Sequence, residues 1–288
     1  MSELADTTHA TSPLPAGARA VDGQQRGSTF GTPGDLNIIG MRTLFMKEVR
    51  RFLKVPAQTT IAPVITTLIF LAIFSLALGR TQRVIEGLPY LEFLAPGLIM
   101  MAVVQNAFAN TTSSLIIAKV QGNIVDILMP PLGPGELVGA IIGGAVVRGL
   151  LVGVCVGVAM APFVSMSIAH PALALLYVLL ASTMLAALGF LCGLWAEKFD
   201  QTATITNFVV TPLSFLSGTF YSIKQLPEPA LFIAHLNPFF YMIDGLRFAF
   251  TDHADGSVWL GLIILLATNA ALLRACFVLV KRGYKLKA

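Results

Sequence analysis

Six apolar runs, separated by polar connections, dominate the pattern of residues along this chain. A transmembrane helix needs about 20 predominantly apolar residues, and each run is long enough to supply one. The runs predict spans over Thr60–Leu78, Phe93–Ser113, Leu137–Ala161, Ala172–Leu194, Thr202–Phe220 and Val258–Val280. The predicted fold class is therefore an all-α integral membrane protein with six transmembrane helices, and residues 56–288 form its transmembrane domain.

Two segments of different character precede the first run. Residues 1–35 are small and polar, and they predict a disordered tail because they contain too little apolar surface to fold. Residues 36–55 interleave apolar and basic side chains, which predicts an amphipathic helix lying in a membrane interface. A surface helix of a soluble domain is the alternative, which the apolar run after Pro56 disfavours. Between the fifth and sixth spans, residues 221–256 are too polar and proline-rich for one span and contain two short amphipathic pieces.

Composition and charge agree with a membrane protein. The chain is 56% hydrophobic and 12% charged, whereas a soluble domain carries about 25% charged residues. Its net charge of +4 reflects basic residues beside the spans, so no nucleic-acid partner is expected. The lysines and arginines that flank the predicted spans are unequally divided between the two sides of the membrane. The side of the termini carries Arg42, Lys47, Arg50, Arg51, Lys54, Lys119, Lys198, Lys281, Arg282, Lys285 and Lys287; the opposite side carries Arg80, Arg83, Lys224 and Arg247. The positive-inside rule then predicts that both termini are cytoplasmic.

The sequence contains no motif that performs chemistry. It has no G-x-x-x-x-G-K-[ST] phosphate loop, which predicts that this chain does not hydrolyse ATP. No histidine pair has metal-binding spacing, and Cys155, Cys192 and Cys276 lie in separate apolar runs, where cysteine packs as a small apolar residue. No catalytic residue, metal site or bound cofactor is therefore predicted.

Polar side chains inside the spans are the candidates for a substrate path. Arg148 lies near the middle of the third span, where an arginine costs about 2.5–3.5 kcal/mol and should find partners inside the protein. Polar stripes mark the second and fifth spans, and hydrogen bonding between helices is the alternative role for them. The tentative path consists of Asn106, Asn110, Arg148, Asn207, Thr211 and Ser214. Two runs of glycines spaced four apart, Gly135–Gly143 and Gly149–Gly157, predict close helix packing.

The connection between the second and third spans predicts a contact with another protein. Over Lys119–Met129 the apolar residues recur with helical spacing, and Pro130 and Pro131 end the helix. A short amphipathic helix beneath a membrane domain needs an apolar partner, which the groove of a separate subunit would supply. The candidate contact residues are Lys119, Val120, Gln121, Asn123, Ile124, Asp126, Ile127 and Leu128.

Four segments in this order together resemble the ABC-2 type permeases. They are FLAPGLIMMAVVQNAFAN from Phe93, GNIVDILMPPLGPGELVGA from Gly122, TPLSFLSGTFYSIKQLP from Thr211 and HLNPFFYMIDGLRF from His235. The most similar branch contains nodulation-factor exporters, anthracycline exporters and bacterial inner-membrane permeases, which move glycolipids, amphiphilic drugs and polysaccharides. The resemblance extends from about Leu36 to the C-terminus.

The resemblance implies a multi-pass bacterial inner-membrane protein that works as part of a larger exporter. Two permease copies would form the pore, and two separate ATPase subunits, which bind ATP and magnesium, would dock below them. Residues 36–55 resemble the connecting helix of the family, Lys119–Met129 its coupling helix, and the segment after the fifth span its re-entrant external helices. The branch commonly has two successive acidic residues where this chain has Val125 and Asp126, so the resemblance supports an ATPase contact at Asp126 alone.

Two other classes of membrane protein remain as alternatives. An ion- or proton-coupled secondary transporter would carry several buried ionisable residues or broken helices at the midplane, and Arg148 alone has that position in the sequence. A membrane-embedded lipid-phosphate transferase would need clustered carboxylates or histidines at one interface, which the sequence does not contain.

Overall fold

The computed structural model describes residues 37–78, 84–85, 87–124 and 132–284, and most of them are helical. The predicted disordered tail, residues 1–35, lies outside the described residues. The chain begins with α1 (Ile38–Leu53), a π-helical turn (Ala57–Ile61), α2 (Ala62–Leu78), a two-stranded antiparallel hairpin (β1, Val84–Ile85; β2, Leu88–Pro89) and α3 (Tyr90–Val120). It continues with α4 (Pro134–Met160), α5 (Pro171–Trp195), α6 (Phe199–Ile205), α7 (Thr211–Leu216), α8 (Glu228–Leu236), α9 (Pro238–Thr251) and α10 (Val258–Lys281).

Five helical stretches of the described chain are long and apolar enough to cross a membrane. They are Ala57–Ala77, α3, α4, α5 and α10, and they coincide with five of the six predicted spans. The predicted span Thr202–Phe220 consists of α6, a π-helical turn at Thr206–Val210 and α7. This helical stretch ends before Gly218, whose φ of 74° departs from helical geometry and suits glycine. The prediction of a sixth continuous span ending at Phe220 is therefore not confirmed.

The helix α3 lies at the centre of the bundle and is the most deeply buried of the five candidate spans. It packs against α2, α4, α5 and α9. Its contact with α5 is so close that a Cβ at Gly189 would lie 2.6 Å from the carbonyl oxygen of Phe108. Such an approach of two helix backbones is possible only because glycine has no side chain.

The two glycine runs of α4 pack against different neighbours. Gly139 and Gly143 of the first run, together with Gly144, form the surface on which α1 lies, opposite Met41, Phe45 and Glu48, whereas Gly135 faces Phe277 of α10. The second run faces the other side of α4, where Gly149 contacts Ser182 of α5 and Gly153 contacts Val103 of α3. The structure therefore agrees with the interpretation of the glycine spacing as helix packing.

The segment between α7 and α10 forms two helices, as its two amphipathic pieces predict. Asn237 connects them: its side-chain oxygen accepts from the backbone N–H of Phe239 and caps α9, and its amide donates to the carbonyl of Leu213. Because α9 packs against α3, α5 and α10, most of its side chains are buried. Its re-entry into a membrane stays a prediction.

Candidate functional site

The helices α1, α3 and α4 meet at a group of seven polar side chains that we call the polar junction. Its members are Glu48, Arg51, Asn106, Asn110, Ser113, Ser114 and Arg148. Arg148 donates from Nη2 to the Oδ1 of Asn106 at 2.9 Å, so its predicted need for a partner inside the protein is met by α3. The residues Asn106, Asn110 and Arg148 of the predicted substrate path thus lie in one place.

The other half of the polar junction comes from α1. Arg51 donates to the Oδ1 of Asn110 at 3.1 Å, to the backbone carbonyl of Asn110 at 2.8 Å and to the hydroxyl of Ser113 at 3.1 Å. The carboxylate of Glu48, which is 1% exposed, accepts from Arg51 at 3.0 Å and from the hydroxyl of Ser114 at 2.8 Å. A buried carboxylate needs such partners, because its desolvation would otherwise cost more than its burial gains.

Sequence reasoning missed Glu48 and assigned Arg51 only to the basic flank of the first span. A signal was present, because the buried face of α1 consists of Leu44, Glu48 and Phe52, which recur every fourth residue. A carboxylate in the middle of an apolar stripe indicates a buried polar partner on the neighbouring helix.

A cavity of about 260 Å³ lies between α2 and α3, beside the polar junction. Gln58, Thr66, Thr67, Gln105 and Asn106 contribute amides and hydroxyls to its wall, and no carboxylate or basic residue among the described residues lines it. Phe70, Leu98 and Met101 form its apolar part. Asn106 faces this cavity and also binds Arg148, so it joins the cavity to the polar junction.

The polar stripe of the predicted fifth span makes no comparable network within the described residues. Asn207 is exposed, and neither its side chain nor that of Thr211 forms a hydrogen bond to the described part of the chain. Ser214 is buried and donates to the carbonyl of Val210 in its own helical stretch. Their place on a substrate path stays a prediction.

The prediction of a short helix over Lys119–Met129 is wrong at the beginning of that segment. Lys119 and Val120 are the last residues of α3, which continues the second span, and a turn at residues 121–123 follows. Gly122 has a φ of 73°, the left-handed conformation in which glycine commonly ends a helix. The spacing predicts that Val120 and Ile124 share one helical face, but the turn between them separates them.

The residues on either side of this turn differ in burial. Val120 is 57% exposed, whereas Ile124 is 5% exposed and packs in the apolar core of this chain. Gln121 and Asn123 are exposed. Asp126, Ile127 and Leu128 lie outside the described residues, so their predicted contact with a partner remains a prediction.

Lys119 ties the end of α3 to the end of α5. Its ammonium group donates to the backbone carbonyls of Gly193 at 2.9 Å and Ala196 at 3.0 Å. The last carbonyls of a helix have no partner within the helix and carry a partial negative charge, so a lysine stabilises them well. The structure therefore shows a helix-capping contact for this predicted coupling residue.

A second buried polar group lies at the opposite end of α3. Arg247 of α9, placed by sequence reasoning among the external flanking charges, is fully buried above the ring of Phe93 at 3.7 Å. It donates to the carbonyl of Gly218 at 2.6 Å and lies 3.9 Å from Asp244 and 4.0 Å from Asp255. Burial raises the pKa of the Asp244 carboxyl, while the backbone N–H groups of Asp255 and Gly256 and the charge of Arg247 act to lower it.

The fold and the polar junction define a class: a helical membrane protein with a cluster of polar side chains inside its bundle. Comparison with known proteins identifies the family, because residues 40–251 match the family model described as ABC-2 type transporter. The chain is also 34% identical to the inner membrane transport permease YadH of Escherichia coli K12 over 250 residues, 87% of this chain and 98% of YadH. The chain therefore belongs to the ABC-2 type transporter family and is a transport permease.

More distant relatives cover a smaller part of the chain. Nodulation protein J of Sinorhizobium fredii is 26% identical over 191 residues, 65% of this chain and 72% of that protein. Nodulation protein J of Rhizobium meliloti is 24% identical over 200 residues, 67% of this chain and 74% of that protein.

Proposed function

We propose that this chain is the permease subunit of an ATP-driven exporter of the inner membrane, with an amphiphilic, lipid-linked or glycan substrate. A separate ATPase, in two copies, supplies the energy, and a second copy of the permease completes the path. The chain is a member of a transporter family. The observation that carries the proposal is the cavity between α2 and α3, which Asn106 joins to the polar junction. Amides and hydroxyls suit a sugar or another neutral polar group, and the apolar part suits an acyl chain.

The chain itself contains no phosphate loop, so the energy of ATP has to enter through contact with another subunit. The exposed turn at the end of α3 supports such a contact, because α3 also lines the cavity. Displacement of this turn would therefore act directly on the cavity wall. Ile124, which is buried in the chain's own core, holds the turn against the bundle, and Val120 offers the apolar contact.

The surface of α2 supports a second permease copy. It is the least buried of the five candidate spans, and Ile65, Ile69 and Ile73 form an exposed stripe with a spacing of four residues. The cavity opens between α2 and α3, so a second copy packed on α2 would enclose it further. Apolar stripes that face lipid are common in membrane proteins, and a copy bound here would replace part of that lipid contact.

The proposal predicts that the purified chain alone hydrolyses no ATP and that hydrolysis appears only in complex with a nucleotide-binding subunit that copurifies from its native membrane. Val120→Asp is expected to remove most of the copurifying ATPase, because an apolar interface anchor is often worth at least about 2 kcal/mol. Val84→Asp, an equally exposed valine in the hairpin before α3, is the matched control and should retain the subunit. ATP turnover by the chain alone, with contaminants excluded, would contradict the proposal.

The proposed orientation, with both termini in the cytoplasm, is tested by thiol labelling. Gln225 and Gln121 are both exposed. Gln121 directly follows α3, whereas Gln225 lies five residues after Phe220, whose carbonyl accepts from Tyr90 at the beginning of α3. In a variant without the three native cysteines, Gln225→Cys should react with an impermeant thiol reagent in intact cells, and Gln121→Cys should react only after the cells are opened. The reverse pattern would show that the termini face outward.

A further inference from the structure

We propose that the polar junction binds an anionic group of the phosphate class, held by Arg148, Asn110 and Arg51, and hence that the exported amphiphile carries a negatively charged head group. The first argument is charge. The junction contains two guanidinium groups and one carboxylate, and Glu48 pairs with Arg51. Arg148 forms no ion pair with any carboxylate of the described residues, so the junction, in which Arg148 and Glu48 are buried and Arg51 is partly exposed, carries an uncompensated positive charge.

The second argument is the hydrogen bonding of this group. Arg148 is 9% exposed and Asn110 is 0% exposed, yet the Nε of Arg148 and the Nδ2 of Asn110 have no acceptor among the described residues. Each buried donor without an acceptor costs about 1–3 kcal/mol. Both free donors therefore favour a ligand that brings acceptor oxygens, and the charge favours an anion.

The third argument is the arrangement of the two arginines. Asn106 and Asn110 are one helical turn apart on the same side of α3, at a spacing that places their Cβ atoms about 5–6 Å apart. Arg148 binds the first and Arg51 binds the second, so the two cationic groups lie close enough to repel each other. A phosphate between them would relieve this repulsion and accept several charge-assisted hydrogen bonds, for which the planar guanidinium is well suited.

The source of the anion follows from the neighbouring cavity. Asn106 lies in the cavity wall, and the cavity's apolar side chains, Phe70, Leu98 and Met101, would contact an acyl chain. An amphiphile in the cavity would thus have its head group beside Arg148. The identification of this amphiphile with the transported substrate rests on the proposed function, whereas anion binding by the polar junction does not.

Binding is tested on the full chain purified in the uncharged detergent dodecyl maltoside. Dodecyl phosphate should raise the unfolding midpoint with saturation, because a ligand that binds the folded state stabilises it, whereas uncharged dodecyl glucoside should not. Arg148→Gln keeps an amide that can donate to Asn106 but removes the charge, and it should weaken the apparent affinity for dodecyl phosphate at least about tenfold. Arg274→Gln makes the same change at an exposed arginine of α10 and should bind as the unmodified protein does.

A second variant keeps the proposal testable if Arg148→Gln does not fold. Asn110→Asp places a carboxylate within reach of Arg51, so it should raise the unfolding midpoint without ligand and remove the response to dodecyl phosphate. A separate titration with inorganic phosphate distinguishes the sources: an equal response assigns the site to a free anion, and a weaker one to an amphiphile. An unmodified protein that responds equally to dodecyl phosphate and dodecyl glucoside, or an Arg148→Gln variant that binds dodecyl phosphate normally, would overturn the proposal. None of these measurements needs the ATPase or transport, so their failure would leave the proposed function standing.

Discussion

Gly189→Ala is expected to prevent accumulation of the folded protein, although it adds a single methyl group. The new Cβ would lie 2.3 Å from the hydroxyl oxygen of Thr111 and 2.6 Å from the carbonyl oxygen of Phe108. The hydroxyl could rotate away, but the carbonyl belongs to the backbone of α3, so α3 and α5 would have to separate. Overpacking of a core usually costs about 1–3 kcal/mol, and we expect the upper end of this range or more because backbone has to move.

The measurement is the monodisperse fraction of protein extracted from the membrane, together with its unfolding midpoint. Gly157→Ala is the matched control, because its Cβ would meet the side chain of Ile99 at an ordinary contact distance of 3.8 Å. Equal behaviour of the two variants would show that α3 and α5 are not packed as closely as the structure places them.

Arg247→Met is expected to lower the free energy of unfolding by about 3–5 kcal/mol, the range for removing one partner of a buried ion pair. Arg247 lies 3.9 Å from the buried carboxylate of Asp244 and 4.0 Å from that of Asp255, and it also lies on the ring of Phe93. A methionine would fill much of the volume but leave the buried carboxylate of Asp244 without the guanidinium beside it. Lys224→Met is the control: Lys224 is 3.7 Å from Asp255 but 46% exposed, so solvent screening should limit its effect to about 0–1 kcal/mol.

The Arg247→Met variant should also respond to pH. Because burial raises the pKa of Asp244 in the folded protein above its unfolded value, the folded state binds the proton more tightly. Stability then falls as pH rises from the ordinary carboxyl value of about 4 through the raised folded value, and acidification should partly restore the variant. If the gap between the unfolding midpoints of the variant and the unmodified protein does not narrow as the pH is lowered, this account is contradicted.

The difference between predicted and observed features is clearest along α3. An apolar run of about 20 residues can satisfy its backbone in a membrane only as a helix, so the spans that became α2 to α5 and α10 follow from composition and length. The end of α3 depends on one local property, the left-handed conformation of Gly122, which the helical spacing of the apolar residues around it does not reveal. The predicted coupling helix was therefore placed across a turn.

The sequence by itself determined the membrane class, the five helices long and apolar enough to span a membrane, the helix over most of residues 36–55 and the absence of a phosphate loop, because each depends on residues close together in the chain. Only the tertiary structure decided which polar side chains are buried and which partners they bind. Glu48 and Arg51 look like ordinary residues of a basic amphipathic helix until α1 lies against Gly144 and places them beside Asn110. Arg247 looks like a flanking charge until α9 packs against α3. The burial of a charge depends on the helices that surround it, and those contacts join residues that are distant in the chain.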